Sequence, residues 1–431
     1  MSDKRTDHVI LNVNVLDVGI VHDAWRSSEL HPLSFVDVDY FTRIGRIAER
    51  GLLDAYFLAD GPALREDPRH KPGRALEPTS ILAAVGAATE NLGLIGTLST
   101  TFNDPWELAY RVQSLDHLSG GRVAWNVVTT YSPEAAGNFG LAELPDRDVR
   151  YRRAEEFVTV VNDLWRSVID ERPTVHHGEF FDVEAVLPVP RSAQGYPLLV
   201  QAGGSPDGRA LAGRAAHAVF SAEMSLGAGI EHYRHVKSVA AAAGRNRSHI
   251  RVLPGLITVL GSTEEQARRR HRESTALSPD GFSLRRLAGT LGVDPDELDH
   301  DAPLPVSVVD GPPDPARFRG SLGFREAVVR LAVDERLTVG QLLDVLAGGF
   351  GHRRVVGTPE QVADTIEHWF LAGAADGFNL MPDKFPDGLE DFVDQVIPIL
   401  QERGLFRREY EAPTLRGRWG IPLPERQFAA S

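Results

Sequence analysis

The chain of 431 residues contains no cysteine. Disulfides, thiolate nucleophiles, Cys-ligated zinc and iron–sulfur clusters are therefore excluded. The same absence fits a reducing compartment, and a cytoplasmic location is expected. Long apolar runs are missing too. No stretch approaches the roughly 18 residues needed to span a bilayer, so no membrane partner is expected. The first residues, MSDKRTDHVILNVNVLDVG, are charged and then alternate apolar with polar, without the continuous apolar centre of a signal peptide. Basic charge is in short supply: Lys+Arg is 46 against Asp+Glu 60, a formal net charge of −14. That balance favours solubility and works against nucleic-acid binding. With 42% hydrophobic and 25% charged residues, the chain has enough apolar side chain for a large core. Length allows up to three domains at roughly 150 residues each, though single α/β barrels routinely exceed that size.

What is present is an alternation of strands and helices. His8–Leu16 alternates apolar with polar as a strand does. Val38–Arg50 has helical spacing, with Gly51 suited to the left-handed position that ends a helix. Leu52–Ala59 is a near-continuous apolar run, as in a strand buried on both faces. Further strands are predicted at Leu92–Leu98, Arg122–Val128, Pro197–Ala202, Ala218–Ser221, Ile250–Leu260 and Ala375–Met381. Helices fall between them: one opened by Pro78, then Pro105–Leu118, Arg150–Val168, Asp207–Ala216, Gly229–Ala243, Thr263–Thr275, Pro359–Ala372 and Leu389–Arg403. Eight strands separated by helices describe an α/β chain folded as a (β/α)₈ TIM barrel, one domain over residues 1–431. A doubly wound open sheet shares the local pattern and is the alternative.

Two segments interrupt the rhythm. Residues 173–190 read as an excursion or hairpin. Residues 277–352 form a long insertion rich in Pro, Gly and Asp, a candidate active-site lid or else a plain surface insertion.

In a barrel the C-terminal strand ends form the active face. Those positions collect Asp17, His22 and Trp25; then Asp60; Thr97, Ser99, Thr100 and Thr101; Asn126, Thr129, Thr130 and Tyr131; Gln201; Ser221 and Glu223; and Asn379. Hydrogen-bonding groups dominate, so a polar ligand above the barrel is expected. Clustered histidines are missing, which disfavours a metallohydrolase, and no metal site is expected. A glycosidase needs two carboxylates flanking the substrate; Asp60 and Glu223 could be such a pair, but nothing marks them as one. The glycine-rich turn Gln201-Ala-Gly-Gly-Ser-Pro-Asp-Gly-Arg209 can form an anion site from its backbone N–H groups, the Ser205 hydroxyl and the helix start. An ordinary strand-to-helix turn capped by Ser or Asp reads the same way.

Taken together, these residues resemble a known family. LGLIGTLSTTFNDPWELAYRVQSLDHLSGGRVAWNVVT (Leu92–Thr130), NFG at Asn138, RYRRAEEF from Arg150, QAGGSPDGR and VGTPEQVAD from Val356 are similar to the nitrilotriacetate and dibenzothiophene-sulfone monooxygenases. These belong to the bacterial-luciferase-like flavin-dependent barrels. The similarity runs from about Val9 to Arg418.

The resemblance implies a luciferase-like TIM barrel that binds FMN non-covalently. It implies reduced FMN supplied by a separate NAD(P)H-dependent flavin reductase, and dioxygen that forms a flavin hydroperoxide and oxygenates a small organic substrate. By the same resemblance Asp60, Thr97 and Asn126 contact the flavin. Tyr151, with Gly204 and Ser205, holds the phosphate, and His22 and His352 sit near the reacting edge as catalytic residues. A homo-oligomer, dimer or tetramer, is implied as well. Two positions depart from the family pattern. Arg147 stands where a histidine is usual, and can still reach a phosphate. Gly204 replaces a serine.

A flavin hydroperoxide survives only where water is excluded, which gives the insertion a purpose. The histidines can donate a proton or orient the oxygen, or be structural. Asp60 can equally cap its turn, and Tyr151 can be core. Thr97 and Asn126 can simply satisfy strand-end backbone groups. Trp25, Trp106 and Trp125 read as packing. A deazaflavin-dependent dehydrogenase of the same superfamily is the alternative oxidoreductase. A flavin-binding protein without turnover and a flavin-free barrel hydrolase are the alternatives of other classes.

Overall fold

The structure is a computed structural model. It describes residues 8–16, 18–21, 24–26, 34–63, 76–202, 206–277, 284–318, 322–346 and 351–426. Eleven strands lie among these residues: β1 Ile10–Val15, β2 Ala55–Leu58, β3 Gly93–Ser99, β4 Val123–Val128, β5 Thr174–His177, β6 Asp182–Ala185, β7 Leu198–Gln201, β8 Ala218–Ser221, β9 Arg251–Leu260, β10 Arg353–Gly357 and β11 Gly377–Pro382. The helices used below are α1 Val38–Arg50, α2 Pro78–Ala87, α3 Pro105–Leu118, α4 Glu134–Asn138, α5 Arg147–Asp170, α6 Pro206–Ala215, α7 Leu226–Ala242, α8 Glu264–Ala276, α9 Leu284–Leu291, α10 Val306–Asp310, α11 Leu322–Asp334, α12 Val339–Leu346, α13 Pro359–Ala372, α14 Asp387–Asp391, α15 Ile397–Glu402 and α16 Leu415–Arg418.

Eight strands run parallel in the order β11-β1-β2-β3-β4-β7-β8-β9, and β9 pairs back onto β11 to close the ring. The eight strands read from the sequence are these eight, and the open-sheet alternative falls away with the closure. Strand β10 is an addition the sequence reading left unassigned. It pairs with Leu256–Leu260 of β9, beyond the stretch Arg251–Pro254 that pairs with β8. Strands β5 and β6 form a separate antiparallel hairpin. Glu156 on α5 pins it, accepting from the backbone N–H of Phe180 and Phe181 and facing His176 Nε2 at 3.1 Å.

Local chemistry sets the helix limits. Asp104 caps α3 by accepting from the N–H groups of Trp106 and Glu107, and Pro105 fills its first turn. Thr358 and Gln361 form a reciprocal capping box at α13. At the end of α1 the sequence expectation needs correction. Gly51 keeps φ at −79°, and the left-handed residue is Leu52, at φ 59°. Glycine is needed at 51 for a different reason: a Cβ there would meet Val393 Cγ2 at 2.5 Å. The predicted helix Leu389–Arg403 is also not uniform, because a π-helical turn, Phe392–Val396, joins α14 to α15.

Side chains alternate inward and outward along each strand. Outward ones such as Leu11, Leu94 and Trp125 pack under the helices. Inward ones near the strand starts (Ile10, Ala55, Ile95, Ala124, Leu198, Ala218 and Leu253) form a separate cluster with Leu415, Trp419 and Ile421. The C-terminal segment therefore stoppers the N-terminal end of the barrel. Arg251 secures it by donating from Nε to the Trp419 carbonyl at 2.9 Å. Buried ion pairs tie the same end together: Arg407 with Asp54 at 2.7 Å, and Lys237 with Asp376 at 3.0 Å. The described part of the insertion, α9 to α12, has its own apolar core, joined by Met224 from the loop after β8. It therefore stands beside the opposite, open end of the barrel.

Candidate active site

Above the stopper the inner wall turns polar. Asn12 and Asn14 share the inward face of β1 with Ile10, and Asn12 Nδ2 donates to Asn379 Oδ1 at 3.0 Å. Thr97 and Asn126 are register partners on β3 and β4, and both are buried. Asn126 Nδ2 donates to Thr97 Oγ1 at 2.9 Å. Several inner-wall acceptors have no partner among the described residues: Asn12 Oδ1, Asn14 Oδ1, Asn126 Oδ1 and His352 Nδ1. Buried acceptors left bare are costly, so this wall is built to receive a ligand bearing N–H or O–H donors.

His352 reaches the wall from the end of the insertion. Its ring stacks on Phe220, with centroids 5.2 Å apart and planes 10° from parallel. Phe220 in turn meets Phe57 edge-on at 5.5 Å. The histidine fits because β9 has no side chain beside it: a Cβ on Gly255 would lie 2.4 Å from His352 Nδ1. Burial pushes the imidazole down to about 4, against a hydrogen bond with the Ser221 backbone that favours its protonated form. The ring is therefore neutral near pH 7 and presents an acceptor. Around the ring of eight strands, His352 over β8 and β9 lies roughly across from Thr97 and Asn126 on β3 and β4.

The remaining strand-end hydroxyls mostly secure loops. Thr130 Oγ1 donates to Ser99 Oγ at 2.7 Å, and Thr101 Oγ1 donates to the Thr129 carbonyl at 2.6 Å. Thr130 itself adopts a left-handed φ of 47°, and Arg150 holds its carbonyl at 2.6 Å. Asp60 stands half-buried just past β2.

Arg147 and Tyr151 share the first turns of α5, with the guanidinium over the phenol ring, 4.9 Å from its centroid. Arg147 Nη2 also pairs with Asp207 Oδ2 at 2.6 Å, which joins the start of α5 to the start of α6. Of the other residues named from the sequence, His22, Gly204 and Ser205 lie outside the described residues. Among the described residues no cluster of three or more His, Asp or Glu side chains could hold a metal ion. The adjacent His176 and His177 point to different partners, Glu156 and Asp182. Trp125 is core, donating to the Leu98 carbonyl at 3.0 Å, and Trp106 stacks on Tyr110.

Sequence reading missed Gly255 and Phe220 as parts of this region. Gly255 did leave a signal, because a lone glycine inside an apolar strand marks a close approach. Phe220 left none, since it ends an unremarkable apolar run.

The fold and the polar wall define a barrel protein with a ligand site inside the barrel's open end. The comparisons supply the class. Residues 17–376 match the luciferase-like monooxygenase family, and the chain belongs to it. It is 39% identical to nitrilotriacetate monooxygenase component A of Aminobacter aminovorans, over 95% of this chain and 96% of that protein. It is 34% identical to dibenzothiophene-sulfone monooxygenase of Rhodococcus erythropolis strain XP, over 99% of both chains. Among solved structures it resembles EDTA monooxygenase of Chelativorans sp. BNC1. The TM-score is 0.82 and the identity 35%, with 96% of this chain and 98% of that chain covered. The protein is a flavin-dependent monooxygenase. No helix among the described residues is long and apolar enough to cross a membrane.

Proposed function

We propose that this chain is the oxygenating component of a two-component monooxygenase. It takes reduced FMN from a separate NAD(P)H-dependent flavin reductase and uses dioxygen to oxygenate a small organic substrate. The observation that carries the reading is the set of bare acceptors on the inner wall, in a chain similar along its length to a monooxygenase component A. A reduced isoalloxazine has N–H donors at its pyrimidine edge and at N5, so its chemistry matches Asn126 Oδ1 and its neighbours. When bound, reduced FMN supplies the two electrons by which one atom of dioxygen enters the substrate and the other leaves as water.

The chain's own residues then have separable tasks. Thr97 and Asn126 orient the ring, with Asp60 at the mouth. Arg147 and Tyr151, with Gly204 and Ser205, hold the phosphate; the Arg147–Asp207 pair must open to release the cation for that use. His352 is neutral, so near pH 7 its task is to accept a hydrogen bond and orient a reacting group, not to act as an acid. His22 is the candidate proton donor. The helices of the insertion shield the mouth from water.

The test combines anaerobic titration with reduced FMN and turnover under labelled dioxygen, with a reductase present. Binding of reduced FMN and one labelled oxygen atom per product is the expected result. Failure to bind FMN in either redox state overturns the reading. Substrate oxidation with a deazaflavin and no oxygen uptake would replace it with the dehydrogenase.

A further inference from the structure

Arg354 on β10 is a cation held by neutral partners. Its Nη1 donates to His271 Nε2 on α8 at 2.8 Å, and its Nη2 donates to the Val345 carbonyl on α12. A guanidinium cannot accept, so His271 takes that bond on a bare Nε2 and carries its own proton on Nδ1. Burial pulls this imidazole down to about 4, helped by Arg354, and it is uncharged near pH 7. Burial pulls Arg354 down to about 10, which leaves it charged at that pH. No carboxylate among the described residues lies within ion-pair distance of it. Arg270, one residue before His271 on the same helix, shows the usual arrangement, with Asp383 at 2.6 Å and Asp391 at 2.5 Å.

Holding a cation partly out of water on neutral acceptors is costly. Val345 lies in the last turn of α12, and a helix end offers at most about half a charge. The two bonds therefore fix the direction of the guanidinium without cancelling its charge. They also use only part of its five N–H donors. Nε is buried with no partner among the described residues, and so is His271 Nδ1.

The place of Arg354 in the fold gives this charge a use. It is the register partner of Ile257 on β9, two residues beyond Gly255, where His352 is seated. Ile257 shares the inward parity of Leu253 and Gly255 and packs with Ile20 and Met381. Two residues of strand rise about 7 Å, so Arg354 stands one such step above His352, at the seam where α8 and α12 meet the barrel. We propose that Arg354 is a subsite for a carboxylate of the substrate, with His271 and the Val345 carbonyl as the groups that aim it. The unused donors suit two parallel N–H···O bonds to one carboxylate. The substrate class is then a small organic acid whose carboxylate is set apart from the atom to be oxygenated. That this acid is the compound oxygenated rests on the functional reading above.

The probes are succinate and its neutral counterpart succinamide, and the first measurement needs no flavin. In ¹⁵N–¹H spectra the Arg354 Nε–H signal is assigned by its loss in Arg354→Lys. Succinate is expected to shift it saturably, and succinamide to leave it in place. Calorimetry is expected to show succinate binding weakened about 10- to 100-fold in Arg354→Gln. Arg353→Gln removes the same charge one residue away, on the other face of β10, and is expected to change binding less than about twofold. The second measurement is turnover with a reductase over matched acids and amides. Arg354→Gln is expected to raise the KM of the acids about tenfold or more and to leave that of the amides within about twofold. No saturable shift with succinate, an equal response to succinamide, or equal weakening in Arg353→Gln overturns the proposal. A shift with inorganic phosphate or FMN, but not with succinate or riboflavin, assigns the cation to a phosphate and overturns it too. Failure of reduced FMN to bind strikes the functional reading instead, and the succinate titration still decides this one.

Discussion

Gly255→Ala adds one methyl group to the inner wall, and its effect can be worked from the contacts. The new Cβ would lie 2.4 Å from His352 Nδ1, 2.7 Å from Cγ and 3.0 Å from Cε1. Ordinary van der Waals contact begins near 3.4 Å, so one of the two must move by a full ångström. Gly255 is not among the residues with positive φ, so alanine brings no backbone strain, and the whole cost falls on the contact. The ring cannot retreat freely, being buried and stacked on Phe220. Overpacking of this kind costs about 1–3 kcal/mol. A displacement of about 1 Å in a positioned group lowers turnover on the order of 100-fold. The expected result is a kcat reduced 10- to 100-fold (an order-of-magnitude figure from the same principle), with reduced-FMN affinity changed less than about threefold. Rapid mixing with chemically reduced FMN measures both without a reductase. Adding His352→Gly to the variant removes the clash, so the two substitutions together should cost less stability than the sum of their separate costs, while turnover does not return. Unchanged kcat in Gly255→Ala, or strictly additive stability losses in the double variant, would refute the placement of the ring.

Other expectations follow from separate contacts. Asn126→Ala is expected to weaken reduced-FMN binding about tenfold, about 1.4 kcal/mol for one lost hydrogen-bonding group, and equilibrium titration that shows no change would remove it from the site. Asp207→Asn releases Arg147, so FMN should bind more tightly and with a steeper salt dependence; calorimetry at two ionic strengths gives the answer. Trp419→Ala opens the stopper and should cost about 3–5 kcal/mol of stability while reduced-FMN affinity stays within about twofold, a split that denaturant unfolding and titration can measure. Burial alone would raise the pKa of Glu156, but its hydrogen bonds with His176 and the Phe181 and Phe180 amides outweigh that and lower it. The hairpin is therefore held fully above the unfolded-state pKa and released as pH falls through the lower folded one. Amide exchange at Phe180 and Phe181 should show that acid loss in the unmutated protein and not in Glu156→Gln.

The barrel was legible because each βα unit writes its own signals: an apolar run, a capping residue, a proline in the first turn. Asp104, Pro105 and the following helix are local in this sense, and the eight strands emerge from such units one by one. Strand β10 was not legible, because Arg353 and Arg354 open it and no apolar pattern sets it apart. The need for glycine at 51 was not legible either, because it is set by Val393, 342 positions away. In the site, strand-end chemistry pointed to Thr97 and Asn126, whose neighbouring positions follow from adjacent strands. The seat of His352 depends on Gly255 and Phe220, which lie on two different strands far from it in the chain. No periodicity in one chain encodes contacts of that range.

The stopper at the base of the barrel also sets an order of events in folding. Strand β1 is completed only by β11, with Asn12 meeting Asn379, and Asp54 waits for Arg407. Leu415 and Trp419 come later still in the chain, yet they pack against the very first strands. During synthesis the early strands must therefore remain an unclosed, partly wetted assembly until Leu415 and Trp419 have emerged. Contacts of such sequence separation make folding slow and expose unpaired strand edges meanwhile. A deletion that removes Leu415–Ile421 would leave every proposed site residue in the chain while exposing the apolar base of the barrel.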